Sequence, residues 1–477
     1  MKFWRNTGWL LILSVMSLQA QEGRTCNCVD AFTDMVEKLE ANYIGLPHLL
    51  EEVAEQVYQD RVDDYQQKAT KTEALNCTRL LNEFLDFFED GHLFAVEFPK
   101  YSDTELVAWK DSIQIFKENE FDPDTVLNQL KQDLFHFGDK ILGTYTDGIS
   151  EIVMLGDGRI FGGFVIKSER ADVKPGEIKV ELEAYEGGYR GTYFSYTGAQ
   201  RYTEADLYKD GTLLSIGGTQ WLKTDAKAKR ELEMVDVAKG INQPVIQKLN
   251  EQAVLIAIPS FLVEAKAFNK LIKANHDLLQ NAEQLVIDIR GNRGGNGIYF
   301  PLFRYFADRK MEGGQGHVLA SADNLAYFER NLPYSLAIYQ PVVDAIKANM
   351  GQIVDGPAYP GRTFRQRRAM QVKQVAILTD EACMSAAESF ILHAKKACSY
   401  VTTFGSPTAG VIDYTSVNSL ALNSGNQNIY FGYPTSTLTK KIPEGGYNEA
   451  GIKPDVPIAK EVEDKVAFIL DYLKKSK

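Results

Sequence analysis

The fold of the C-terminal half of the chain is indicated by the stretch Val375-Ala-Ile-Leu-Thr-Asp-Glu-Ala-Cys-Met-Ser385-Ala-Ala-Glu388-Ser-Phe390. Its apolar start is typical of a buried strand, and a turn then leads to a serine that opens a helix. A hydroxyl at this place lies beside free backbone N–H groups and the positive end of the helix dipole, which stabilise a developing oxyanion. The same Ser385-to-Glu388 spacing is also that of an ordinary capping box. The stretch therefore predicts strand, turn and helix, with Ser385 as a candidate nucleophile.

A second stretch, Leu285-Val-Ile-Asp-Ile-Arg290-Gly-Asn-Arg-Gly294-Gly295-Asn-Gly297, runs from an apolar strand into a glycine-rich turn. It has neither the Walker Lys-Ser/Thr pair nor the Gly-x-Gly-x-x-Gly spacing of a dinucleotide fold. Nucleotide binding is therefore not predicted for this turn.

Together, three elements resemble the tail-specific (C-terminal processing) serine peptidase family, which includes the tricorn protease core. They are the Arg290-x-Asn-x-Gly-Gly turn, the Ser385-Ala-x-Glu388 helix and the later run Gly405-Ser-Pro-Thr-Ala-Gly410. The resemblance covers roughly residues 231–460. It implies a crotonase/Clp-protease-like core of stacked ββα units, and an oxyanion hole made by the amide of Ala386 with that of Gly294 or Gly295. Glycine suits such a turn, because a β-carbon would obstruct the approach of a substrate carbonyl or forbid a positive φ.

The general base distinguishes two branches of this family. The Ser-Lys branch has a lysine where this chain has Val411. The tricorn-like branch takes a histidine from an N-terminal segment, and Glu89-Asp90-Gly91-His92 follows the helical run Leu80–Phe88 here. Neutral imidazole, with an ordinary pKa of about 6.5, accepts the proton of a serine hydroxyl near neutral pH. The resemblance thus makes His92 the candidate base, although a lone histidine after a turn is more often a surface or packing residue.

Two carboxylates complete the candidate site. The run Tyr447-Asn-Glu449-Ala-Gly-Ile-Lys-Pro454-Asp455 resembles a stretch near the end of tricorn-like domains, which implies Glu449 as the acid of the catalytic network. A solvated loop carboxylate is the alternative for Glu449. Glu388 lies one turn along the helix from Ser385, and we expect it to act as a first-turn acid that stabilises the helix dipole rather than as a site residue.

The N-terminus predicts export. Lys2 and Arg5 precede a short apolar run and a small residue at Ala20, which is the pattern of a secretory signal peptide, and no later run is long enough for a transmembrane helix. Loss of those two cations takes the net charge from −12 to −14, which disfavours nucleic-acid binding.

The five cysteines fit an oxidising compartment, where Cys77 is expected to pair with Cys26 or Cys28. The Cys26-x-Cys28 pair lacks the two further ligands that a zinc site needs.

Composition divides the chain into four parts, and the fold class expected is multidomain α+β. Residues 1–20 form the signal peptide, 21–140 a helical N-terminal domain carrying His92, 141–230 an antiparallel β-module, and 231–477 the catalytic α/β domain. The β-module is expected from short alternating runs such as Ile178–Ala184, separated by turn pairs at Asp157-Gly158 and Asp210-Gly211.

The sequence therefore predicts an exported serine-type endopeptidase acting on a peptide or protein substrate, without metal or cofactor. Two alternatives stay open: a catalytically silent ligand- or peptide-binding protein on the same fold, and an esterase. No Gly-Leu-Gly-type carboxylate loop of a PDZ domain is found, so cleavage at substrate C-termini does not follow from the resemblance.

Overall fold

The structure is a computed structural model. It describes residues 27–72, 76–98, 114, 140–224, 243–364 and 371–475, less 157, 186–187, 195–199, 209–210, 212, 217–218, 426–427, 439–445, 449, 460–461 and 463. The predicted signal peptide and Cys26 lie outside these residues. None of the helices in these ranges combines the length and apolar character needed to cross a bilayer.

The N-terminal region is helical, as predicted. Four helices are followed by a 3-10 turn and a short strand: α1 (Cys28–Asn42), α2 (Gly45–Glu52), α3 (Glu55–Ala69), α4 (Cys77–Leu85), the turn Asp86–Phe88 and β1 (Phe94–Glu97). A disulfide joins Cys28 to Cys77 with 5.4 Å between the α-carbons. Of the two pairings expected for Cys77, the structure therefore contains the one with Cys28, which ties the start of α4 to the start of α1.

The β-module is a closed antiparallel barrel of eight strands. Its first and last strands pair at Tyr145↔Lys223 and Thr146↔Leu222, which closes the barrel. Tyr145, Phe164 and Trp221 belong to its packed core. The strands are β2 (Gly143–Thr146), β3 (Ser150–Gly156), β4 (Ile160–Ser168), β5 (Ile178–Tyr185), β6 (Gly188–Phe194), β7 (Gln200–Tyr208), β8 (Leu213–Ile216) and β9 (Thr219–Lys223).

The C-terminal half is built on a six-stranded sheet in the order β10-β11-β12-β15-β16-β19, parallel except for the β10–β11 pair. Alternate residues of each strand face opposite layers. Ile287 packs with the helix Ala386–Ala397 on one side, and Val286 packs with the helix Lys465–Lys475 on the other. Burial on both faces explains why these strands read as continuous apolar runs. Strands and helices of this layer are β10 (Val245–Lys248), β11 (Ala253–Ala257), α5 (Ala265–Ala274), α6 (His276–Asn281), β12 (Gln284–Asp288), β15 (Gln374–Thr379), α9 (Ala386–Ala397), β16 (Val401–Gly405), β19 (Val456–Pro457) and α10 (Lys465–Lys475).

A second, five-stranded sheet joins the two ends of the chain. Its central strand β18 pairs with β1 along Phe94↔Gly432 to Glu97↔Ile429. Phe431 and Tyr433 of β18 share one hydrophobic core with α1–α4. The helical N-terminal region therefore does not have a core of its own. The other elements here are the 3-10 turn Phe300–Tyr305, β13 (Gly314–Leu319), α7 (Ala322–Asn331), the 3-10 turn Leu332–Tyr334, α8 (Leu336–Ala348), β14 (Ile353–Tyr359), β17 (Tyr414–Ala421) and β18 (Ile429–Thr437).

The fold class predicted from the sequence, multidomain α+β, is confirmed. Strands β12 and β15 are adjacent and parallel, with Asp288 opposite Leu378. The glycine turn (290–297) and the nucleophile turn (380–386) leave their carboxyl ends, so both lie at the same edge of the sheet.

Candidate active site

Ser385 lies at the N-cap of α9 in a conformation that few non-glycine residues adopt, with φ 56° and ψ −114°. Its amide donates a hydrogen bond of 2.9 Å to Oε2 of Glu388. A backbone of this kind costs free energy and is retained only where its surroundings hold it. Here a sharp strand-to-helix turn lifts the hydroxyl out of the buried sheet, as nucleophile elbows do.

His92 reaches this serine from the histidine loop (89–93), which follows α4. The loop begins with a left-handed residue, Glu89, at φ 51°. The amide of Leu93 then donates to the carbonyl of Asp90 at 2.9 Å. The result is a distance of 3.0 Å between Nε2 of His92 and Oγ of Ser385, across 293 residues of sequence. This is hydrogen-bond distance between a base and a hydroxyl.

Asp90 supports His92, although the sequence patterns did not single it out. Its Oδ1 accepts from the backbone N–H of His92 at 2.9 Å, and its Oδ2 accepts from the hydroxyl of Tyr43 at 2.9 Å. The same Oδ1 lies 3.8 Å from Nδ1 of His92, which finds no hydrogen-bond partner among the described residues. Asp90 therefore fixes the loop and puts a carboxylate beside the imidazole. The sequence feature that could have indicated this role is the position of Asp90 two residues before His92.

Burial and charge act against each other in this pair. Burial lowers the pKa of His92 below 6.5, while the carboxylate of Asp90 and the backbone of Tyr414 raise it in part. Burial raises the pKa of Asp90, opposed by the charge and N–H of His92 and by the Tyr43 hydroxyl. The imidazole is thus neutral at pH 7 and able to accept a proton, and the nearby carboxylate stabilises the imidazolium that forms.

The glycine turn is connected to both neighbouring segments by its polar residues. Arg290 pairs with Asp288 through Nη2 and Oδ2 at 2.7 Å. Asn292 is fully buried, and its side chain donates to the carbonyl of Ile258 at 2.9 Å. Its own carbonyl accepts from the amide of Met384 at 3.1 Å. Asn292 therefore connects the glycine turn both to the nucleophile turn and to Ile258.

The two glycines of the predicted oxyanion hole differ in what their amides do. The amide of Gly294 donates to Oδ1 of Asn292 at 2.9 Å. Within the described residues, the amides of Gly295 and Ala386 donate to no acceptor and are available to a substrate oxygen. Gly294 has a spatial role instead: a β-carbon there would lie 2.9 Å from Cβ of Ser385 and 3.0 Å from the amide nitrogen of Ala386. Any side chain at position 294 would therefore cover the Ala386 amide.

Glu388 does more than the first-turn acid expected from the sequence. It is completely buried, and besides the Ser385 amide it accepts from Oγ1 of Thr408 at 2.6 Å and from the amides of Gly410 and Val411 at 2.9 and 2.8 Å. Burial raises its pKa, whereas these four donors favour the ionised carboxylate. Glu388 thus joins the nucleophile turn to the segment 408–411.

Val411 lies beside the histidine loop, where its side chain packs against Gly91. A β-carbon on Gly91 would be 3.1 Å from a methyl group of Val411. The predicted acid, Glu449, lies outside the described residues. Its neighbour Asn448 donates its amide to Oδ2 of Asp413 at 2.8 Å, and the amide of Ile452 donates to Oγ1 of Thr408 at 2.7 Å. Thr408, a partner of Glu388, therefore also binds Ile452, while Asn448 is held separately by Asp413.

No group of three or more side chains suited to a metal ion occurs among the described residues. Cys383, two residues before the serine, is buried, and burial raises the pKa of its thiol well above 9. Its Sγ donates to the carbonyl of Ile289. Burial and this hydrogen bond make the Cys383 thiol a poor nucleophile.

Known structures resemble this chain over nearly its whole length. A crystal structure of a CPAF mutant matches with a TM-score of 0.50 at 12% identity, covering 94% of this chain and 97% of that one. Mature CPAF gives a TM-score of 0.49 at 13% identity, with coverage of 94% and 97%. The tricorn protease gives 0.41 at 12% identity, covering 94% of this chain and 37% of that chain. At 12% identity, the likeness to the CPAF mutant is a likeness of fold alone.

A comparison with curated protein sequences finds no match. A family comparison does: residues 252–458 match the sequence model of peptidase family S41. The matched region contains the glycine turn, Ser385, Glu388 and Val411, while His92 lies before it. The resemblance inferred from the motifs is thereby confirmed over residues 252–458, which are similar to family S41, and this similarity supports a peptidase.

Proposed function

We propose that this protein is an exported serine endopeptidase in which Ser385 is the nucleophile and His92 the general base. The observation that carries the proposal is the 3.0 Å distance between Nε2 of His92 and Oγ of Ser385. A serine hydroxyl is a weak nucleophile by itself and requires a base at this distance. The absence of a lysine at position 411 supports histidine in that role.

The reaction proceeds in two stages. His92 takes the hydroxyl proton as Ser385 attacks the peptide carbonyl, and the oxyanion accepts hydrogen bonds from the amides of Ala386 and Gly295. The imidazolium then gives its proton to the leaving amine, and an acyl-enzyme remains on Ser385. Water, deprotonated by His92, hydrolyses this ester and restores the free hydroxyl. Asp90 stabilises the imidazolium in both stages, and Glu449 is proposed as a further acid of the network.

Export is proposed from the N-terminal pattern at residues 1–20 and is supported by the Cys28–Cys77 disulfide. The enzyme is thus expected to act in the periplasm or outside the cell. The barrel lies between the segment carrying His92 and the α/β region, and we assign it no role in catalysis.

A fluorophosphonate probe tests the proposal directly. Wild-type protein should form a covalent adduct that mass spectrometry places on Ser385, and Ser385→Ala should form none. Turnover of matched peptide and ester substrates then separates a peptidase from an esterase. Labelling at another residue would contradict the assignment of the nucleophile, whereas no labelling and no turnover would favour the silent binding protein.

A further inference from the structure

The oxyanion hole of the proposed mechanism is shared between two turns. The amide of Gly295 belongs to the glycine turn (290–297), and the amide of Ala386 belongs to the nucleophile turn (380–386). A substrate oxygen must lie about 3 Å from both donors, so the hole exists only while the two turns keep one relative position. A displacement of about 1 Å can cost about a hundredfold in rate. Contacts between the two turns therefore bear directly on catalysis.

Asp380 makes such a contact. It is the first residue after β15, and it is buried, with 6% of its surface exposed. Its Oδ1 accepts hydrogen bonds from the amide of Gly291 at 2.8 Å and from the amide of Ala382 at 3.2 Å. Gly291 belongs to the glycine turn, and Ala382 belongs to the nucleophile turn. One carboxylate oxygen therefore joins the backbones of the two turns.

The segment that follows Gly291 connects this contact to the nucleophile. The carbonyl of Asn292 accepts from the amide of Met384 at 3.1 Å, and its Oδ1 accepts from the amide of Gly294 at 2.9 Å. Gly294 lies directly against Ser385, because a β-carbon there would be 2.9 Å from Cβ of the serine. The short stretch between the Asp380 contact and the oxyanion hole is therefore held along its length.

Cys383 holds the carboxylate of Asp380 in place. Its Sγ lies 3.0 Å from the carbonyl oxygen of Ile289 and 3.4 Å from Oδ1 of Asp380. The amide of Asp380 donates to the same sulfur at 3.4 Å. Both Cys383 and Ile289 are fully buried. The carboxylate is thus fixed by packing and hydrogen bonds of its own, as a group that positions others must be.

We propose that Asp380 is a positioning residue of the oxyanion hole. It fixes the glycine turn against the nucleophile turn, so that the amides of Gly295 and Ala386 point at one substrate oxygen. The proposal rests on the peptidase function given above and deepens it. Asp380 acts on the oxyanion rather than on the general base. Its loss should therefore weaken binding of the transition state and leave both ground-state binding and the titration of the base unchanged.

A peptide aldehyde measures the oxyanion hole directly. Oγ of Ser385 adds to the aldehyde carbon, the hydroxyl proton passes to His92, and the aldehyde oxygen becomes the negatively charged oxygen of a hemiacetal. The peptide alcohol of the same sequence has no carbonyl and forms no such adduct, so it reports the rest of the binding site. The ratio of the two inhibition constants, which we call the aldehyde/alcohol ratio, isolates the contribution of the hole.

Two substitutions at Asp380 separate the acceptor from the volume of the side chain. Asp380→Leu has a similar size but no acceptor, whereas Asp380→Asn keeps an oxygen for the two amides. In Asp380→Leu we expect the aldehyde to bind about ten- to a hundredfold more weakly and kcat/KM to fall by the same factor. Binding of the alcohol and the acidic limb of the pH–rate profile should not change. Asp380→Asn should stay within a few fold of the wild-type enzyme.

Asp147 provides a matched control in the barrel. It is also buried, with 7% of its surface exposed, and its Oδ1 accepts from the amides of Ile149 and Ser150 at 2.9 and 2.7 Å. Asp147→Leu therefore removes the same kind of contact away from the site. It should lower stability and keep the wild-type aldehyde/alcohol ratio. An equal change of the ratio in Asp147→Leu and Asp380→Leu would show that the ratio follows stability, and would overturn the proposal.

The remaining outcomes distinguish this proposal from the proposed function. Suppose that the wild-type enzyme cleaves peptides and that folded Asp380→Leu keeps its aldehyde/alcohol ratio, with activity lost only through fewer sites titrated by a fluorophosphonate. The positioning role would then be overturned, and the peptidase function would stand. If Asp380→Leu does not fold, Asp380→Ala is measured in the same way. Wild-type protein that neither cleaves peptides nor binds the aldehyde more tightly than the alcohol would contradict the peptidase function, and the positioning role with it.

Discussion

The nucleophile turn and the histidine loop are both strained turns, but they are held by different means. Ser385, at φ 56°, has its amide bound by Glu388, three residues later in the same helix. The histidine loop, with Glu89 at φ 51°, is held by Tyr43 through Asp90 and by packing against Val411, which is distant in sequence. Local support makes the nucleophile recognisable as a motif. The contacts that position His92 come from segments distant in sequence, so the base depends on how the whole chain packs. Variants of the two turns therefore test the two kinds of support separately.

Loss of either reacting side chain should have the largest effect. Ser385→Ala and His92→Ala should each reduce kcat by at least about 10³-fold, and the double variant should be no slower than the singles, because nucleophile and base act as a unit. Ser385→Gly, which relieves the positive φ, should fold at least as well as Ser385→Ala. Single-turnover kinetics with thermal unfolding would check this. A double variant much slower than both singles would show that His92 is not the base of Ser385.

Glu388→Gln should damage the nucleophile turn from within. An amide group in place of one oxygen would face two of the four donors, either Thr408 and Gly410 at Oε1 or Ser385 and Val411 at Oε2. Each buried donor left without an acceptor costs about 1–3 kcal/mol. We expect unfolding free energy to fall by several kcal/mol and kcat to fall with it, measured by urea titration and peptide hydrolysis. Glu251→Gln, a highly exposed acid paired with Lys248, is the control and should change little. Full stability in Glu388→Gln would contradict the connecting role of this carboxylate.

Asp90→Asn should act on the histidine loop by removing charge. Without the carboxylate the imidazolium is less stabilised, so kcat/KM should fall about ten- to a hundredfold. Because Asp90 raises the pKa of His92, its loss lowers that pKa further. Activity requires neutral imidazole, so the acidic limb of the pH–rate profile should move to lower pH even as the plateau falls.

Tyr43→Phe is the matched variant for this test, because it removes one hydrogen bond to Asp90 but keeps the charge. Its plateau should fall less than that of Asp90→Asn, and its acidic limb should move less. An acidic limb that stays in place in Asp90→Asn would mean that Asp90 supports only the fold of the loop.

Val411→Ala should have the smallest effect on activity. Val411 is buried and packs on Gly91, so truncation should cost about 1–2 kcal/mol of stability and lower kcat/KM by no more than a few fold. Peptide hydrolysis and urea titration measure the two. A folded Val411→Ala enzyme as inactive as Ser385→Ala would place this position in the chemistry and contradict histidine as the base.

Much of the α/β region could be predicted because its requirements are local. The apolar strand expected from Leu285 onward is β12 (Gln284–Asp288), and the helix expected to open at Ser385 is α9 (Ala386–Ala397). Buried parallel strands must be continuously apolar, and positive φ at Gly294 and Gly295 requires glycine, so both features are visible in one sequence. The closure of the barrel was not predicted, since it depends on a pairing between its first and last strands.

By itself, the sequence determined the nucleophile turn, the glycine turn and the family to which they belong. Tertiary structure decided the rest of the site. His92 meets Ser385 because β1 pairs with β18, more than 300 residues later, and because α1–α4 share a core with that strand. Asp90 and Glu388 owe their roles to burial among donors from distant segments. A carboxylate in a sequence carries no sign of such burial, since the partners that make it favourable are assembled only when the chain folds.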